Sequence, residues 1–210
     1  MDNNNNIIGI EGVYSYRLDD LFQEENLNNR QLYLNGEIDE KVIDEIVYHI
    51  LRYNRMDKEK DLSEDERQPI FLYINSPGGD FVSGFSIIDA ILSSKTPVYT
   101  VNIGAAFSMA LLVFIAGSKR YALPHSQFLL HDGSIVCYGT TAKLKDRMDF
   151  ETIQLEKMVK EFVLSRTEIN YALYNTKYKD EWYFLPSEGK SLGVVDYIIG
   201  EKDCDIDEVI

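Results

Sequence analysis

Two rhythms of hydrophobic positions divide this chain. Short apolar runs rich in β-branched and aromatic residues predict strands at Gln31–Gly36, Ile70–Ile74 and Val98–Ile103, the second of them continuous enough to be buried on both faces. Two more extended pieces follow at Arg120–Pro124 and Gln127–His131, and a final strand at Val194–Ile199. Between them the apolar positions recur at helical spacing. Ile38, Val42, Ile43, Ile46, Val47, Ile50 and Leu51 predict a helix over 38–54, and Phe81, Val82, Phe85, Ile88, Ile91 and Leu92 another after the Asn75–Asp80 turn. Phe107–Ile115 reads as a helix, apolar apart from Ser108, entered through a glycine turn at Gly104, and Pro186–Gly193 as a short helix with its stop. The longest helix spans 141–165, with a stripe of Leu144, Met148, Leu155, Met158, Val159 and Phe162. Residues 55–69 read as a charged surface loop, and those after 200 as an acidic, mobile tail. Strand–helix units in series predict an α/β fold with parallel pairing.

The stripe on 141–165 exceeds what its own domain needs. Helices within 70–131 already cover the sheet, so that face predicts an association site. Upstream, residues 1 to about 30 are polar and weakly periodic. The asparagine run is expected to be disordered, with Ile7, Ile8, Ile10 and Val13 free to pack locally.

Composition excludes several function classes. A chain of 210 residues that is 45% hydrophobic suits one domain with a sizeable core. A formal charge of −14 argues against nucleic acid or an anionic membrane as partner. Cys137 and Cys204 lie far apart with no metal-ligand spacing, and no signal peptide or membrane-length apolar run is present, so a cytoplasmic protein without metal or cofactor is expected.

Candidate chemistry centres on Ser108. A strand, a turn and an apolar helix in sequence put this hydroxyl at a helix N-terminus, where free N–H groups and the helix dipole favour a developing negative charge. Such a serine can be a nucleophile or a plain cap, and the stretch alone leaves both open. A nucleophilic serine needs a base, a group that orients the base, and donors for the oxyanion. His131, at a strand end before Asp132-Gly133, is the best placed of the three histidines, although a lone histidine at a strand end is more often structural than catalytic. His49 lies in an amphipathic helix and His125 in a loop. The Gly78-Gly79 turn can aim an N–H towards Ser108, with the Met109 N–H as second donor; an ordinary tight turn is the plain alternative. No Lys-Ser/Thr follows the glycines, so a phosphate loop is not indicated.

Taken in order, Tyr73-Ile74-Asn75-Ser76-Pro77-Gly78-Gly79, Gly104-Ala105-Ala106-Phe107-Ser108-Met109, Lys119-Arg120-Tyr121-Ala122-Leu123-Pro124 and Leu129-Leu130-His131 resemble the Clp-type serine peptidases, the proteolytic subunit of the Clp protease. The resemblance runs over about 30–200 and is densest across 70–131. It implies a crotonase-like α/β spiral with a protruding helical handle at about 132–165, a variable segment at 1–28, a peptidase domain at 29–200 and an acidic tail at 201–210. It implies Ser108 as nucleophile, His131 as base, Gly79 and Met109 as oxyanion donors, and an acid as third triad member. Counting back without gaps from Gly193-Val194-Val195-Asp196 gives Glu181 for that acid; one inserted residue gives Asp180, which the family's use of aspartate favours. Extended, unfolded polypeptide is the implied substrate, bound along Gly78, Asp80, Phe81 and Val82. Stacked heptameric rings joined through the handle, and an AAA+ ATPase as candidate partner, complete what the resemblance implies.

Two departures from the family pattern bear on these expectations. The family's His-Gln-Pro is here His131-Asp132-Gly133, which alters the strand beside the substrate groove. The N-terminal segment lacks a clear match to the family's axial loops, which leaves ATPase docking open. A crotonase-type enzyme acting on acyl-CoA and an inactive scaffold subunit of a peptidase ring are the alternatives from other classes. A phage-type member working without an ATPase is a third, within the peptidases. Neither Ser108 nor His131 is required by the first two.

Overall fold

In a computed structural model of the chain, residues 18–133 and 138–209 are described. The asparagine run, Ile7, Ile8, Ile10, Val13 and Cys137 lie outside them. Helix α1 (Leu18–Asn28) leads into strand β1 (Gln31–Asn35). A π-helical segment at Ile43–Val47 continues directly as α2 (Tyr48–Glu59). Then come β2 (Ile70–Ser76), α3 (Phe81–Ser93), β3 (Val98–Phe107), α4 (Met109–Ala116), β4 (Lys119–Ala122) and β5 (Gln127–Leu130). A long helix is built from α5 (Thr141–Phe150), a π-helical segment Glu151–Leu155, and α6 (Glu156–Arg166). The chain closes with α7 (Tyr171–Lys177), β6 (Trp182–Phe184), α8 (Pro186–Ser191) and β7 (Tyr197–Ile198).

The sheet runs β1-β2-β3-β4-β7, all parallel, as strand–helix–strand units dictate. Its long strand β3 does double duty. Tyr99–Asn102 pair with β4, whereas Ala105–Phe107 pair with β5, and β6 adds to β5 antiparallel. Buried Asn102 bridges the split, donating to the Gln127 carbonyl at 3.0 Å and accepting from the Gly104 N–H at 3.0 Å. The β2–β3 register shifts at the same level, and Asn75 Oδ1 fills the gap by accepting from the Ala105 N–H at 3.2 Å. A side chain at Gly104 would meet that oxygen at 2.4 Å, so only glycine admits the bridge. Gly104 is therefore a bulge within the strand and not the turn expected there. The strand persists to Phe107, and the helix starts two residues later than the apolar pattern suggests.

One face of the sheet lies under α2, α3 and α4. The core there gathers Leu32, Leu34, Leu72, Ile74, Ile87 and Phe114, and every residue of α4 is buried. The opposite face carries aromatics: Tyr33 stacks on Tyr73 at 4.9 Å, and Phe71, Tyr99, Tyr121 and Tyr197 extend the row. This face, expected to be buried along β2, is covered by the C-terminal tail. Cys204 and Val209 are buried against Tyr73 and Tyr121, and the Tyr73 hydroxyl donates to the Val209 carbonyl. Burial pushes the Tyr73 phenol up to about 12. The tail is thus a folded part of the domain, and its acidic composition conceals two apolar anchors.

Three further expectations change. The helix ending at 54 in the pattern continues to Glu59, since nothing in Arg55–Glu59 breaks it, and the charged loop begins only beyond that point. Its end is fixed by Asp57, fully buried, which accepts from the Arg30 guanidinium at 2.8 Å and from the Thr96 hydroxyl at 2.7 Å. The final strand shrinks to Tyr197–Ile198, while Val194 and Val195 are buried in the turn before it. The long helix divides by exposure: Val159 and Val163 are buried and Phe162 meets the Phe85 ring at 6.3 Å, whereas Met148, Phe150, Ile153 and Met158 are exposed. Among the described residues no helix is long and apolar enough to cross a membrane, and no cluster of metal-ligating side chains occurs.

Candidate active site

Ser108 stands where β3 stops and α4 starts, at φ 55°, ψ −123°. A residue with a Cβ avoids that conformation, so the surroundings must impose it. They do. Its N–H donates to the Leu129 carbonyl of β5 at 2.9 Å, and its own carbonyl accepts from Leu111 N–H at 3.0 Å, starting the helix. The sharp turn lifts the side chain out of both elements. Its hydroxyl makes no capping bond to the helix, which is what a nucleophile needs and a plain cap lacks.

The Pro77–Asp80 turn packs directly beneath. Gly78 has φ 96°, and a Cβ there would lie 2.7 Å from the Phe107 carbonyl oxygen, 2.8 Å from Ser108 Cβ and 3.0 Å from Met109 N. Glycine at 78 is therefore what lets this turn touch the helix N-terminus. Ile38 pins the turn from behind: its N–H donates to the Gly78 carbonyl and its carbonyl accepts from Asp80 N–H, both at 2.8 Å. In a parallel bridge of this form the Gly79 N–H points away from Ile38, and Gly79 lines the cleft that holds Ser108. The Met109 N–H at the first turn of α4 is the natural second donor.

That cleft measures about 650 Å³, and its walls include Gly79, Phe81, Ser108, Met109, His131 and Leu155. Asp80 also lines it, but its carboxylate caps α3 by accepting from Ser83 N–H at 2.8 Å, a bond that holds its pKa below the ordinary value. Val82, on the outer side of α3, is 71% exposed, and neither it nor Gly78 lines the cleft.

His131 leaves the end of β5 into the same cleft. Its Nε2 is shielded from solvent and has no hydrogen-bond partner among the described residues, an arrangement that leaves the atom free to take a proton. Its Nδ1 lies 4.0 Å from Glu181 Oε1. The register explains that pairing. Leu130 opposes Trp182 in the antiparallel β5–β6 ladder, so one step further His131 opposes Glu181. Asp180 stands one residue off, in the turn after α7 where its N–H donates to the Lys177 carbonyl at 3.0 Å, and among the described residues it forms no ion pair with His131. The geometry thus groups Ser108, His131 and Glu181 and leaves Asp180 aside, in agreement with the gapless count.

Sequence inspection passed over two neighbours. Tyr178 lines the cleft and stacks on buried Tyr174 at 4.7 Å, and Arg147 pairs across one helical turn with Glu151 over the cleft mouth. The second was readable as an i,i+4 pair of opposite charge. The first had no signal, since 171–178 carries little periodicity.

The chain matches a family model described as Clp protease over residues 16–202. It is 34% identical over 142 residues to "ATP-dependent Clp protease proteolytic subunit 2" of Treponema denticola, covering 67% of this chain and 65% of that protein. It is 30% identical over 179 residues to "ATP-dependent Clp protease proteolytic subunit 3" of Parasynechococcus marenigrum, covering 83% of this chain and 84% of the relative. A Synechococcus protein of the same description matches to the same extent.

Proposed function

Given that this chain belongs to the Clp protease family of serine-type peptidases, we propose that it hydrolyses extended polypeptides by acyl transfer to Ser108. His131 Nε2 takes the hydroxyl proton as Ser108 Oγ attacks the scissile carbonyl carbon. Glu181 faces Nδ1 and stabilises the imidazolium that forms. The carbonyl oxygen, now an anion, receives the N–H groups of Gly79 and Met109. His131 then returns its proton to the leaving amine, and the peptide bond breaks. Water enters and attacks the acyl carbon while giving a proton to His131; His131 passes that proton to Ser108 Oγ as the ester bond breaks, which releases the acid product and restores the enzyme. The observation that carries this reading is the forced turn at Ser108, with its hydroxyl free of capping duty, in one cleft with an unengaged His131 Nε2.

Substrate lies as an extended strand beside the Gly79–Asp80 backbone, ahead of the first turn of α3, and beside Asp132-Gly133, an arrangement that reads main chain more than side chains. The exposed apolar outer part of the long helix supports assembly into a ring through that helix, in the manner of a handle. Proteolytic subunits of this family work as oligomers with Clp ATPase partners, and both features extend to this chain under the same proposal; stacked heptameric rings are its most specific form. The test is turnover of an unfolded protein and short fluorogenic peptides by parent and Ser108→Ala. Parent activity lost in the variant supports the reading; faster turnover of an acyl-CoA than of any peptide overturns it.

A further inference from the structure

A glutamate in the acid position, one methylene longer than the aspartate usual there, has an additional rotatable bond and must be held if it is to face an imidazole. Tyr183 holds it. The two residues alternate by two along the approach to β6 and so share a face. The Tyr183 hydroxyl donates to Glu181 Oε2 at 2.9 Å, while the other carboxylate oxygen, Oε1, is the one 4.0 Å from His131 Nδ1. The tyrosine is itself fixed. Tyr183 opposes Leu129 in the β5–β6 ladder, Leu129 opposes Phe107 in the β3–β5 ladder, and the Tyr183 ring stands edge-on to the Phe107 ring at 5.7 Å and 89°. Phe107 directly precedes Ser108. One side chain thus touches the residue that carries the nucleophile and the carboxylate behind the base.

We propose that Tyr183 is a positioning residue of the triad, clamping one oxygen of Glu181 so that the other faces His131. The proposal rests on the reading of Glu181 as the triad acid. An exposed glutamate without the clamp samples other rotamers, and those conformers lack an oriented imidazole. The loss falls on the chemical step, because Tyr183 does not line the substrate cleft.

Kinetics of four full-length proteins test this: parent, Tyr183→Phe, Glu181→Ala and the double variant. Phenylalanine keeps the ring on Phe107 and removes only the hydroxyl. The expected result is a fall in kcat of about three- to tenfold in Tyr183→Phe at unchanged KM, as for loss of one ordinary hydrogen bond at a solvent-exposed site. In the Glu181→Ala background the same change should move kcat by less than about twofold, since no carboxylate remains to be held. An equal loss in both backgrounds would mean that Tyr183 acts through packing, and no loss in the parent would mean that it does not act; either overturns the proposal. If Glu181→Ala alone leaves kcat unchanged, the triad assignment fails first, and that outcome is separate from the other two.

Discussion

Replacing Gly78 by alanine separates the two reasons for a glycine beneath the nucleophile. The position has φ 96°, outside what L-residues favour, and its new methyl group would meet the Phe107 oxygen at 2.7 Å, Ser108 Cβ at 2.8 Å and Met109 N at 3.0 Å. Those partners are backbone or the nucleophile's own Cβ, so the contact cannot be relieved by a rotamer change. Ordinary contact begins near 3.4 Å, so the turn and the start of α4 must part by roughly half an ångström or more. Gly36 supplies the control. Its φ is 112°, yet an added Cβ would have nothing within 4 Å. Gly36→Ala therefore carries only the backbone term, about 1–2 kcal/mol of stability. Gly78→Ala carries that and the displacement, and a shift of this kind at the reacting atoms can cost on the order of 10² in rate. Turnover of a short peptide and thermal unfolding, measured on both variants, check the difference. Gly36→Ala should lose stability and keep its turnover per folded molecule; Gly78→Ala should lose both. A Gly78→Ala protein with parent-like turnover would refute the reasoning that this turn fixes the geometry around Ser108.

The other predictions rest on contacts of the same kind. Glu181→Gln should lower turnover by on the order of 10⁴, as in the best-known triad, and Asp180→Asn by less than about twofold; peptide hydrolysis under saturating substrate distinguishes them. Asp57→Asn should cost about 3–5 kcal/mol, because it leaves the buried Arg30 guanidinium without its counter-charge, and urea unfolding reads the loss. Hydrogen bonding from Arg30 holds the Asp57 carboxyl below its ordinary value against the opposing effect of burial. Its contribution to stability is therefore complete above about pH 4, the unfolded carboxylate range, and is lost as pH falls through the lower folded value; the Asn variant should lack that part of the acid transition. Phe150→Glu with Ile153→Glu, both exposed on the long helix and outside the cleft, should split the assembly in sedimentation velocity, with peptide turnover falling as the oligomer is lost.

How much of the fold and the site was legible without coordinates depended on whether a signal was local. The strand–helix order came from local periodicity and the set Ser108, His131, Gly79 and Met109 from several short motifs in one order, each ambiguous alone, and the structure gathers these residues around one cleft. Where expectation failed, a distant contact decided. Gly104 reads as a turn in sequence, but Asn75 from the neighbouring strand makes it a bulge and carries β3 on to Phe107. The acidic tail hides Cys204 and Val209, whose burial depends on Tyr73 and Tyr121, far upstream in the chain. Strand β6 is three residues long, too short for any periodicity, yet its register with β5 is what sets Glu181 opposite His131. The choice between Asp180 and Glu181 could not come from residue type, since either carboxylate can orient an imidazole. What favours the glutamate is its position, with Oε1 4.0 Å from His131 Nδ1.

Reaction of the intact protein with a fluorophosphonate, followed by peptide mapping, tests the central claim most directly. A serine activated by His131 at the head of α4 should be phosphonylated, with the added mass on the peptide that contains Ser108, and Ser108→Ala should show no labelling while its far-ultraviolet circular dichroism matches the parent. Labelling that persists in Ser108→Ala, or mass added only at another residue, would contradict the account.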